Sequence, residues 1–125
     1  MSLSITSTVK SYPRHQYDLI AQSILGKRYD LSLVFIGRTR ATTLNREYRN
    51  KTYSPNVLSF PLDTHTGEIF ICPQIALREA SKYNLTPSGY VGFLFIHGCL
   101  HLKGLMHGDT MDKLEAKWVK HFALT

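Results

Sequence analysis

Between Tyr90 and Gly104 the chain reads YVGFLFIHGCLHLKG, with apolar side chains at nearly every angle of a helical projection. A helix without a polar face has to be enclosed by other elements, so this segment must lie at the centre of the fold. His97 and His101 sit within it, which predicts that both are in the core. Residues four apart share one face about one turn apart, so the two imidazoles can point at a common centre. Cys99 lies about 200° round the helix from His97 and cannot readily join them. Two polar rings buried side by side without partners would cost on the order of a few kcal/mol, so something must satisfy them.

Gly104 stands where a helix would end in a left-handed residue, and a reversal there would carry His107 back across His97 and His101. Three neutral histidines at i, i+4 and i+10 form a facial set suited to zinc, one ion per chain, with a fourth position open to water. Metallopeptidases of the HExxH type place a glutamate directly after the first histidine as general base. Here that position is Gly98, so a zinc peptidase would share the ligands and lack the base. His15, His65 and His121 stand singly in polar or mixed stretches and are read as non-ligating.

A chain of 125 residues with 43% hydrophobic content can bury one continuous core, and a single domain over residues 1–125 is expected. Fifteen Lys and Arg against nine Asp and Glu give a net charge of +6, which favours a polyanion such as nucleic acid, although a solvated basic surface accounts for it equally well. Cys72 and Cys99 are the only cysteines, both in apolar surroundings, and read as reduced core thiols. The N-terminal stretch lacks a signal-peptide pattern, and no apolar run reaches the roughly 18 residues of a membrane helix. A cytoplasmic protein without membrane contact, and a monomer, are expected.

Leu3–Val9 alternates apolar and hydroxyl residues and reads as a strand; Pro13 opens a helical pattern ending near Gly26; Leu31–Gly37 has strand length. Such a strand, helix, strand succession usually makes a parallel crossover. A polar helix with Leu44 and Tyr48 on one face follows. NVLSFPL and GEIFIC are then two strands of a hairpin across DTHT. Pro73 starts one helix, Pro87 the buried one, and Asp109 an amphipathic closing helix. The expected fold is an α+β domain with about four strands in a mixed sheet and about five helices, the metal site lying at the end of the buried helix.

The segments HGCLHLKGLMH and LNREYRNKTYSPNVLSFP together resemble the YbeY family of bacterial endoribonucleases and ribosomal RNA maturation factors. His97, Gly98, Leu100, His101, Leu102, Gly104 and His107 match one family pattern, with Leu105 and Met106 in place of its Tyr and Asp. Leu44, Asn45, Tyr48, Arg49, Lys51 and Val57 to Pro61 match the other, from which Thr52, Ser54 and Pro55 depart. The resemblance implies zinc on His97, His101 and His107, cleavage of single-stranded RNA, and a part in small-subunit rRNA maturation and ribosome quality control. It also places Arg49 at the cleft as a catalytic residue.

A guanidinium can grip two phosphate oxygens, which suits Arg49 to that task. Arg38, Arg40, Arg46 and Lys51 would add a basic track for an RNA backbone, and Tyr53 could stack on a base, whereas Tyr48, spaced from Leu44, is expected in the core. Arg46, Lys51 and Tyr53 are the RNA-binding candidates. Asp109, the nearest carboxylate in sequence, is expected to cap the last helix. Direct attack of water on phosphorus is expected over attack by the ribose 2'-hydroxyl. The alternative to an enzyme is a non-catalytic RNA-binding assembly factor with structural zinc. Three ligands argue against it, because structural zinc is usually closed by four.

Overall fold

A computed structural model describes residues 1–124. Four strands, β1 (Ser2–Ser7), β2 (Asp30–Phe35), β3 (Val57–Asp63) and β4 (Thr66–Ile71), form one sheet in the order β1-β2-β4-β3. β1 pairs parallel with β2 and β2 with β4, while β3 runs antiparallel to β4. The expected mixed sheet and hairpin are therefore present. Pro61 falls on the edge strand β3, where a missing N–H costs no ladder bond on the open side.

Five α-helices complete the fold: α1 (Tyr17–Leu25), α2 (Arg38–Arg49), α3 (Pro73–Glu79), α4 (Pro87–Leu102) and α5 (Asp109–His121), with a 3-10 turn at Ala80–Tyr83. α1 begins four residues after Pro13, because the intervening chain is tied elsewhere. The Tyr17 hydroxyl donates to the Pro13 carbonyl at 2.6 Å, and His15 Nε2 bonds the Ser88 carbonyl at 2.7 Å.

Alternate strand residues Leu31, Leu33, Phe35, Ile69 and Ile71 are buried with Ile20 and Ile24 of α1 and Leu94, Phe95 and Ile96 of α4. On the opposite face Val34, Phe60 and Phe70 pack towards Ala41 and Leu44 of α2. α4 thus touches β3, β4, α1, α3 and α5, as an all-round apolar helix must. Thr86 caps it by accepting from the Gly89 N–H at 3.0 Å, and Pro87 follows at the first helical position. Cys72 and Cys99 are free and buried, and burial pushes the Cys99 thiol up in pKa, so it stays protonated. Among the described residues no helix is long and apolar enough to cross a membrane.

Candidate metal centre and cleft

α4 ends in a turn built by hydrogen bonds. Gly104 takes φ +107°, its N–H donates to the His101 carbonyl at 2.9 Å, and the Leu105 N–H reaches back to the Leu100 carbonyl at 3.1 Å. This is the Schellman arrangement, which a residue with a Cβ would strain. It reverses the chain and also turns the Leu105 carbonyl onto the helix, where His101 Nδ1 donates to it at 3.0 Å. One glycine therefore returns His107 to the site and fixes the ring of His101.

His97 is fixed from the other side. Its Nδ1 lies 2.6 Å from Oε2 of Glu115 on α5, with side-chain exposures of 19% and 8%. A carboxylate and a carbonyl only accept, so in neutral rings both Nδ1 atoms carry the proton and both Nε2 atoms present lone pairs. Those Nε2 atoms are 3.1 Å apart. Two lone pairs at that distance repel unless a cation lies between them, and tetrahedral coordination with bonds of about 2.0–2.1 Å needs ligand nitrogens spaced roughly 3.3 Å apart. The ligand atoms of His97, His101 and His107 all lie within 4.8 Å of one another, so the donor set fits a divalent ion. Burial, and next His97, hold the His101 pKa below its usual value, which keeps the ring neutral.

The core placement predicted for both α4 histidines is corrected: His97 and His101 are half-buried and His107 is exposed, because the site opens into a cleft of about 510 Å³. Arg49, Tyr53, Asn56 and Ser59 form its other side. Tyr53 is held from below, where the buried Asn45 donates to its backbone carbonyl at 3.0 Å. α2 ends beside it at Asn50, which adopts the left-handed conformation with φ 54°.

Gly98 faces the sheet, and a Cβ there would come 3.0 Å from Ile69 Cδ1 and 3.0 Å from Ser59 Oγ. The position that carries the base in HExxH peptidases is therefore crowded, and a side chain there would have to displace Ile69 or Ser59.

Tyr48 is 67% exposed, so its expected core position is corrected: its ring packs edge-on against Phe60 of β3, while the buried apolar residues of α2 are Ala41 and Leu44. Asp109 is the first residue of α5 and Gly108 occupies the capping position, so the predicted side-chain cap is absent and the exposed carboxylate meets only the positive end of the helix. The basic track is dispersed. Arg40 lies about 200° round α2 from Arg38 and lines a groove with Tyr48 and Phe60, while Arg46 and Lys51 are exposed outside the cleft lining. Sequence reasoning missed Glu115. Its signal was a charge on the apolar face of α5, four residues after the buried Met111.

The family model described as Endoribonuclease YbeY matches residues 3–122. The chain belongs to the YbeY family. Similar proteins named endoribonuclease YbeY include that of Neisseria meningitidis serogroup B, 36% identical over 75% of this chain and 63% of its own length. Another, from Mesoplasma florum, is 38% identical over 73% and 60%. A third, from Methylobacillus flagellatus, is 33% identical over 87% and 76%. The chain spans about three fifths of the length of the first two. The solution structure of the Thermotoga maritima protein TM1509 shares the fold, with a TM-score of 0.67 at 24% identity, covering 96% of this chain and 88% of that one.

Proposed function

We propose that this YbeY-family chain is a zinc-dependent endoribonuclease acting on single-stranded RNA, with small-subunit ribosomal RNA as its substrate in ribosome maturation and quality control in the cytoplasm. The observation that carries this reading is that Arg49 and three convergent imidazoles line one cleft. The relatives named endoribonuclease YbeY support it further.

His97, His101 and His107 would hold the ion. When bound, it supplies positive charge for the phosphoryl oxygens and makes water more acidic. Neutral ligands suit an anionic substrate, because they do not cancel that charge. Glu115 lies behind His97, where it balances the centre without confronting the phosphate. Arg49, which lines the same cleft as the imidazoles, would grip two phosphoryl oxygens with its guanidinium as charge builds on them. Tyr53, 55% exposed, offers its ring to a base that has left its stack, which accounts for a single-strand preference. No Asp or Glu is among the residues lining the cleft to take a proton from a ribose 2'-hydroxyl, which favours direct attack by water.

The test is to give metal-replete and chelated protein a single-stranded RNA and a peptide library, and to identify the ends of any fragments. RNA cut only by the metal-replete form, without cyclic phosphate ends, is the expected result. Peptide cleavage, or RNA binding without cleavage, would overturn it.

A further inference from the structure

Beside the metal cleft lies a second hollow of about 410 Å³, bounded by α2, α3, the 3-10 turn and the loop at residues 52–54. Arg38, Arg78 and Lys82 reach it from three separate elements. Among the described residues none of the three is ion-paired, and the one pair found there joins His97 and Glu115. One carboxylate, Glu79, also lines the hollow, and its Oε1 accepts from Asn56 Nδ2 at 2.9 Å and from the Tyr90 hydroxyl at 3.5 Å. Arg38 bonds Ser54 Oγ through Nε at 3.4 Å, and Ser54 Oγ lies 2.6 Å from Thr42 Oγ1, so the loop is anchored to α2, while among the described residues no carboxylate pairs with the Arg38 guanidinium.

Three unpaired cations around a concave space make an anion site, and a volume of this size admits a nucleotide rather than a lone phosphate. Tyr53 lines both this hollow and the metal cleft. We propose that Arg38, Arg78 and Lys82 bind a second phosphodiester of the RNA strand cut at the metal cleft, with Tyr53 carrying the strand from one hollow to the other. The inference rests on the single-stranded RNA reading above and adds a specific path for the strand, leading along α3 and not along Arg46 and Lys51.

The experiment measures binding by fluorescence anisotropy across a salt series, and cleavage in parallel, for labelled single-stranded RNAs of four and twelve nucleotides. The proteins are the wild type, the double variant Arg78→Ala/Lys82→Ala, and the charge-matched variant Lys113→Ala/Lys120→Ala on α5. Arg78 and Lys82 are exposed, and an unchanged thermal melt verifies that the double variant folds. It should lose about tenfold more affinity for the twelve-mer than for the four-mer, and its salt slope on the twelve-mer should flatten by roughly 1, as each single-strand phosphate contact contributes about 0.7. The α5 variant should show neither change. Equal losses on both lengths, an unchanged slope, or an equal loss in the α5 variant would overturn the subsite and leave the cleavage reading standing. Wild-type protein that binds the twelve-mer through Arg78 and Lys82 without cutting it would support the subsite and overturn the endoribonuclease. A wild type that binds neither RNA overturns both.

Discussion

On the α4 side of the cleft, His97 and His101 each have the far ring nitrogen already hydrogen bonded, to Glu115 and to the Leu105 carbonyl. On the opposite side, Arg49 is exposed with no carboxylate paired to it among the described residues, and Tyr53 is more than half exposed. The two walls meet different physical demands. A metal ion needs its ligands fixed to within about 0.5 Å before it arrives, which partly buried rings on a rigid helix provide. A phosphate clamp works by charge and a planar fork, and an exposed arginine can settle around its anion when the strand enters. The α4 wall should therefore fail through metal binding and folding, and the Arg49 wall through catalysis alone.

The largest break is expected at His101. His101→Ala removes one of three ligands, and elemental analysis should find the purified protein without stoichiometric metal. Full metal content would mean that the three-histidine site is wrong.

Gly98→Glu tests the same wall by giving it the residue a peptidase would have. With the sheet 3.0 Å from any Cβ at that position, the change should lower stability by at least about 1–3 kcal/mol in a denaturant melt. No peptide hydrolysis should appear. A stable variant would show that the helix can shift off β4 more easily than its packing suggests.

Arg49→Ala addresses the other wall. Its melt should stay within about 0.5 kcal/mol of wild type, as for most exposed positions. RNA cleavage should fall roughly 10- to 100-fold, the equivalent of one charge-assisted contact of about 1.5–3 kcal/mol. Arg49→Lys should restore only part of the rate, since an ammonium cannot make the paired contact. A melt depressed in proportion to activity would make Arg49 structural and erase the contrast between the walls.

Glu115→Gln is the mildest probe. The amide oxygen can still accept from His97 Nδ1 but brings no charge, so metal affinity, measured by competition with a chelator, should fall about tenfold. An unaltered affinity would mean that the carboxylate does not tune the centre.

Features that depend on local spacing were legible along the chain. All-round apolarity fixed α4 as the central helix, the i, i+4 step paired His97 with His101, and Gly104 marked the reversal that returns His107, because helix periodicity and glycine's conformational freedom act within a few residues. β-branched runs and turn residues likewise marked the strands and the β3–β4 hairpin. Features that depend on elements distant in the chain were set by packing. It set β4 between β2 and β3, and it left Tyr48 outside the core because α2 meets the sheet along a narrow stripe of small and branched residues. It brought Glu115 of α5 to His97, eighteen residues earlier, and aimed the Leu105 carbonyl at His101. Backbone carbonyls have no sequence signature, and a charge on an amphipathic helix reveals its partner only when the helix has docked. The three candidate ligands could therefore be picked out along the chain, while the hydrogen bonds that hold two of them in position had to await the fold.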